Sequence, residues 1–369
     1  MSITNKLITI LVCSLLFAGC GDKNKTGGDS DFDRTAMLQH YADNIIIPAF
    51  ETFQVNVSTL QTAILAFTST PSTTTLDAAQ SAFDNTYTAW MSCNSFNFGP
   101  AGEEGIRKGL IEEIGTWPAN TTLIENNIST NNTSLNDFNR SNRGLNALDY
   151  LLFNLNEDDN TIINSFLANN NLSEYTIAVV NKIAAQTNEV LQSWKSSYRN
   201  EFVSSNGTSV GSSISEMYNE FVRSFESIKN FKVGLPLGKR IGQTSTEPET
   251  VETRFSGQSR KYIELHIEAI DRQWHGRTSA GADGPGWKEY LQSVTGGSDL
   301  VARTETQMNN IRNALAPIPE SPSMEDQINI NFSAWENLHT ELQIQLPNYK
   351  SEMSSLLGIA ITFSSGDGD

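Results

Sequence analysis

Arg143-Gly144-Leu145-Asn146-Ala147-Leu148-Asp149-Tyr150-Leu151-Leu152-Phe153 is an apolar helical run that carries two polar side chains, Asn146 and Asp149. Residues three apart on a helix share a face. Leu145, Leu148 and Leu152 form a separate stripe spaced for a helix that faces a core. An amide and a carboxylate held beside such a stripe need partners, because an unpaired polar group in an apolar setting costs stability. The pair therefore reads as a candidate site or as a fastener to a neighbouring helix.

Outward from this run the pattern stays helical. Met37 to Phe67 carries apolar residues at helical spacing, with Pro48 placed for a helix start or a kink. Leu76 to Phe96 follows, with Leu76, Ala79, Phe83, Tyr87 and Trp90 inward and Thr75 or Asp77 near the cap. Asn97-Phe98-Gly99-Pro100-Ala101-Gly102 ends it. Asn120 to Asn136 reads as an Asn-rich loop with at most one helical turn, and the motif helix is expected from about Asp137 to Phe153. A long helix is predicted over Ser173 to Phe202, with Ile183, Val190, Trp194 and Tyr198 inward. The Ser/Gly-rich Ser204 to Ser213 marks a boundary.

Beyond that boundary, helices are expected over Ile214 to Phe231, Ser256 to Trp274, Ser298 to Leu315 and Pro322 to Leu346. Gly234-Leu235-Pro236-Leu237-Gly238, the Gly-rich Gly276 to Gly286, and Pro317-Ile318-Pro319 break them. Strand signals are nearly absent. The fold class is all-α: two packed helical-bundle halves, residues 36–203 with the motif and residues 214–369. No residue-level repeat establishes a duplication.

The first residues read as an export signal, residues 1–19. Lys6 supplies the positive start, Leu7 to Phe17 the apolar stretch, and Leu16-Phe17-Ala18-Gly19-Cys20 a lipoprotein box with Cys20 as the lipidated residue. Residues 20–35 are then a polar tether with little apolar surface to bury. With Cys13 in the signal and Cys20 lipidated, Cys93 is left alone, and no internal disulfide forms. The net charge of −17 argues against nucleic acid and against a polybasic membrane patch. The expectation is a soluble body held to a bacterial envelope membrane through the lipid on Cys20.

Several segments, in chain order, are similar to those of the imelysin family of bacterial envelope proteins. They include Tyr41-Ala42-Asp43-Asn44-Ile45-Ile46-Ile47-Pro48-Ala49-Phe50, Ala89-Trp90 with Phe98-Gly99-Pro100, Lys232-Val233-Gly234-Leu235-Pro236-Leu237-Gly238, Phe255-Ser256-Gly257-Gln258-Ser259 and the ending Leu357-Gly358-Ile359-Ala360-Ile361-Thr362-Phe363 with Asp367-Gly368-Asp369. The motif run resembles the family signature Gly-x-His-x-x-Glu followed by Tyr-Leu-Leu-Phe. Gly144 is kept, while Asn146 stands where the His belongs and Asp149 where the Glu belongs. The resemblance implies two helical bundles with the motif near their junction, an envelope location, a role linked to iron uptake, and an old peptidase label.

An imidazole and a carboxylate on one helix face suit a transition metal. The amide and carboxylate found here are harder ligands, suited to Ca²⁺, Mg²⁺ or no metal. The ligand is left open: a metal ion such as iron, or a small molecule. His266, on the later helix, is expected to project away from the acidic line Glu264, Glu268, Asp271, His275, and to be an exchanged partner of Asn146 across the junction. The acidic line itself reads as a solvated face. Gly144, Asn146, Asp149 and His266 are thus the candidate ligand site. His40 and His339 read as structural or exposed, and Trp90 and Trp117 as packing residues. No His-Glu-x-x-His or phosphate-binding loop is present, so zinc-peptidase and nucleotide chemistry lack their usual groups. The sequence points to binding in ligand acquisition, with envelope proteins as further partners. The alternative is a structural or interaction lipoprotein with a lost metal site, and a peptidase comes third.

Overall fold

The computed structural model describes residues 31–103, 109–136, 138–154 and 158–364. The signal segment, Cys20 and Asp367-Gly368-Asp369 lie outside them. Among the described residues there are helices and loops and no strand.

The first half is built on α1 (Ile47–Ser69), α2 (Thr73–Met91), the motif helix α3 (Leu145–Phe153) and α4 (Asn170–Ser193). α1 packs along both α2 and α4, and α3 lies across α2 and α4. The chain enters α1 through the helix Arg34–Tyr41 and a wider π turn, Ala42–Ile46. That widening sits just before Pro48, which takes the first turn of α1, where its missing N–H costs nothing. Ser72 caps α2 and Thr75 is the third residue of the helix, closing a reciprocal capping box. The expected cap thus falls earlier than Thr75 or Asp77. The inward set Leu76, Ala79, Phe83, Tyr87 and Trp90 is buried as the spacing requires.

The second half is built on α5 (Ser213–Ser227), α6 (Ser259–Trp274), α7 (Gly297–Leu315) and α8 (Phe332–Pro347). α7 and α8 pair, α5 meets α6 and α8, and α6 crosses to α2 of the first half. The connecting loop is drawn in by a backbone bond from Ser213 N–H to the Ser205 carbonyl, 3.0 Å. The seam between the halves is dense. Phe32 stacks on Tyr290, Tyr41 donates to the Gln273 carbonyl, and His40 Nε2 lies 2.6 Å from the Gly276 carbonyl oxygen.

Several expected elements shift. The motif helix begins at Leu145 rather than near Asp137, because Gly144 has φ +80 and no helix passes through it. The Asn-rich loop contains a helix, Thr121–Ser129, capped by Asn120, whose Oδ1 accepts from Leu123 N–H. The last long helix is two, Met324–Ile330 and α8, interrupted at Asn331. The long helix of the first half opens into a π turn at Trp194–Tyr198 before Arg199–Ser204, leaving Tyr198 half-buried.

Candidate functional site

Gly144 starts α3 at a point where a side chain has no room. A Cβ there would lie 2.5 Å from the Ile114 carbonyl oxygen, a backbone atom. This close approach sets α3 against the Leu110–Ile114 helix and turns Asn146 and Asp149 toward the second half.

Both side chains are buried, and both grip backbone of one turn, residues 253–256. Asn146 Oδ1 accepts from Thr253 N–H at 3.0 Å. Asp149 Oδ2 accepts from Phe255 N–H at 2.9 Å, and Oδ1 from Ser256 N–H at 3.1 Å. The turn needs these acceptors: Thr253 has φ +50 and Gly257 φ +69, so its amides point out of any regular ladder. The motif of one half is therefore an acceptor pair for orphan amides of the other.

A polar chain runs on from Asn146 through groups the sequence reading missed. Asn146 Nδ2 donates to the Tyr87 hydroxyl at 3.3 Å, and Tyr87 donates to Glu252 Oε1 at 2.7 Å. Glu252 Oε2 meets Lys232 Nζ at 2.6 Å. Lys232 sits in a π turn, Ile228–Gly234, that continues α5 and buries Lys229, Asn230 and Lys232 together. Its ammonium also lies 5.8 Å from the centre of the Trp117 ring. A lysine inside the apolar Phe231-Lys232-Val233-Gly234-Leu235 was the available signal.

The electrostatics follow from burial. Desolvation pushes the Asp149 carboxyl up to about 6; the hydrogen bonds from Ser256 and Phe255 oppose it, and the Glu252 charge adds to it. Desolvation raises Tyr87 far above its ordinary value, and the neighbouring Glu252 carboxylate pushes the same way. Burial lowers Lys232, with Glu252 opposing. His266 is held well below its ordinary value by burial and by the Lys232 charge.

Gly144, Asn146 and Asp149 sit together at the start of α3 and along it, and His266 is a buried residue of α6. His266 Nε2 pairs with Ser224 Oγ on α5 at 2.7 Å, and its Nδ1 has no hydrogen-bond partner. Asn146 bonds instead to Tyr87 and Thr253, and the Lys232 charge that bears on His266 is paired with Glu252. The acidic line of α6 does not stay on a solvated face. Asp271 and His275 are buried, with Asp271 paired to Arg312 at 2.6 Å and His275 Nε2 to Glu305 at 3.0 Å, while Glu268 remains exposed. Cys93 is buried with its thiol against the carbonyls of Ala89 and Trp90, and desolvation raises its pKa well above the ordinary value, so it is no nucleophile as it stands.

Asn146 and Asp149 border a small cleft of about 70 Å³, shared with Glu249, Arg254 and Phe255. Two of the roughly four acceptor positions of a carboxylate are taken by amides, and Arg254 is drawn away by a two-pronged pair with Glu325 at 2.7 and 2.8 Å. Among the described residues no group of three or more His, Cys, Asp and Glu side chains is placed to hold a metal ion. The arrangement supplies acceptors, a buried ion pair and a narrow opening.

The peptidase M75 family model, Imelysin, matches residues 46–346. The fold is similar to that of an imelysin-like protein from Psychrobacter arcticum, with TM-score 0.69 and 17% identity over 90% of this chain and 99% of that one. It is also similar to a "putative iron-regulated protein A precursor" from Parabacteroides distasonis, with TM-score 0.67 and 17% identity over 88% of this chain and 97% of that one. No curated protein matches at a significant level. With the match spanning most of the chain, from the first long helix through α8, the chain belongs to the imelysin family.

Proposed function

We propose that this chain is a lipid-anchored envelope protein that binds and does not catalyse, serving acquisition of iron or a related ligand. One observation carries the binding part: the motif pair Asn146 and Asp149 closes a seam between two helical halves beside a narrow opening, with acceptor capacity left over. The iron link is supported by family membership and by the printed name of the iron-regulated structural neighbour. The anchoring is supported by the lipoprotein box ending in Cys20. Lipid on Cys20 supplies the membrane partner, and envelope proteins are the further partners.

The test is twofold. Transcript and protein levels in the producing bacterium should rise under iron limitation, and the purified protein should retain a metal or a small ligand after dialysis that Asp149→Ala loses. Iron-indifferent expression together with a ligand-free protein would overturn the reading.

A second reading is favoured by a specific observation. Asn146 Oδ1 and both Asp149 oxygens already accept backbone N–H groups. In this reading the ancestral His and Glu have become fasteners, and the protein is an interaction lipoprotein whose metal site is lost. It predicts the same dialysed protein free of metal, with Asp149→Ala altering stability alone.

A further inference from the structure

The chain contains a single Asn-Gly pair, Asn206-Gly207, and it lies in the loop that joins the two halves. We propose that this pair is a self-modification site: Asn206 loses its side-chain amide through a cyclic imide, and Arg34 of the first helix promotes the step. The inference goes beyond the proposed function and requires neither iron nor the motif.

Asn206 is exposed, and nothing packs on the glycine after it: a Cβ added to Gly207 would meet only Ser209 Oγ, at 3.8 Å. Among the described residues no acceptor takes the Gly207 N–H. An amide nitrogen that is neither shielded nor bonded can reach the side chain before it, and glycine leaves its own backbone the widest freedom to do so. Two residues of the helix Arg34–Tyr41 hold Asn206 from the other side. Arg34 Nε donates to the Asn206 carbonyl oxygen at 2.8 Å, and Asn206 Nδ2 donates to Thr35 Oγ1 at 2.7 Å. Arg34 is itself steered by Tyr290, whose hydroxyl accepts from Nη1 at 3.3 Å and whose ring centre lies 5.9 Å from the guanidinium carbon.

The chemistry needs only hydroxide and water. Hydroxide removes the Gly207 N–H proton. The charge left behind spreads by peptide resonance onto the Asn206 carbonyl oxygen, the atom that Arg34 already holds. The Gly207 nitrogen then bonds to Asn206 Cγ, and the Cγ–Nδ2 bond breaks. Nδ2 leaves as ammonia with a proton from water, relayed by the Thr35 hydroxyl beside it, and hydroxide is restored. Water opens the imide at either carbonyl to give aspartate or isoaspartate, so the net change is water in and ammonia out. The isoaspartate form adds a methylene to the main chain. That shift moves the carbonyl off Arg34 and undoes the tie between the first helix and the boundary loop.

The experiment incubates the purified mature protein, and a synthetic peptide of residues 200–212, in mildly alkaline buffer. Conversion at Asn206 is followed by peptide mass mapping and an isoaspartate assay. The folded protein should convert about tenfold faster than the peptide, because only the fold supplies Arg34. Arg34→Met should bring the folded rate down to that of the peptide or below, Arg34→Lys should keep part of the advantage, and Gly207→Val should stop the reaction. Melting curves show that each variant is folded. A folded protein that converts no faster than the peptide, or an Arg34→Met rate equal to the parent's, would overturn the proposal. Equal losses in Arg34→Met and Arg34→Lys would reduce Arg34 to a packing residue and overturn it as well.

Discussion

Lys232 and Glu252 form an ion pair 2.6 Å long with side chains 2% and 3% exposed, joining the π turn after α5 to the turn that α3 grips. A buried pair of this kind contributes little relative to apolar residues of equal volume, yet breaking it strands a charge. Lys232→Met or Glu252→Leu alone should each lower unfolding free energy by about 3–5 kcal/mol. The double change Lys232→Met with Glu252→Leu should recover part of that loss. Urea unfolding of the three variants checks this, and strictly additive losses would contradict it.

Asp149 makes stability depend on pH. Its folded pKa, about 6, lies above the ordinary 3.8, so the folded state binds the proton more tightly. The sign follows: between about pH 4 and 6 the contribution of Asp149 falls as pH rises, by about 3 kcal/mol in total. Asp149→Asn removes that slope, and it also turns an amide N–H toward a backbone N–H, at a cost of about 1–3 kcal/mol. Subtracting the variant's stability-versus-pH curve from that of the parent isolates the effect. A flat difference over this window would contradict it.

His266 acts in the opposite direction. Burial and Lys232 hold it well below its ordinary 6.5, so it stays neutral in the fold while the unfolded chain takes up a proton below about pH 6.5. Stability therefore falls as pH drops below that point, by up to about 1.4 kcal/mol per pH unit from this one group. The difference between the parent and His266→Phe, measured across pH 5 to 7, should show this positive slope.

Gly144→Ala should destabilise the protein by at least about 2 kcal/mol. The residue has φ +80, and an added Cβ would lie 2.5 Å from the Ile114 carbonyl oxygen, so both the backbone well and the space are wrong. Thermal melting measures it, and a shift of only a few tenths of a kcal/mol would mean that α3 can move away.

Most helices were legible because their buried stripes are strictly periodic, as with Leu76 through Trp90 on α2. The helix over Thr121–Ser129 was hidden because Asn-rich composition mimics a loop, and tertiary burial of Ile124, Asn127 and Ile128 overrides it. The motif pair could be read as buried and in need of partners. Its partners could not be named: backbone amides at Thr253, Phe255 and Ser256 carry no residue-type signature. Asp271 and His275 were misjudged because a charge line on one helix does not show what packs over it. Here Arg312 and Glu305 of α7 cover it.

The account depends on Asn146 and Asp149 holding the 253–256 turn across the seam. Hydrogen–deuterium exchange at the amides of Thr253, Phe255 and Ser256 reads those bonds directly. In Asn146→Ala and Asp149→Ala, protection at these amides should drop while that of α6 persists. Unchanged protection at all three, in folded variants, would contradict the assignment of the motif as the fastener of the two halves.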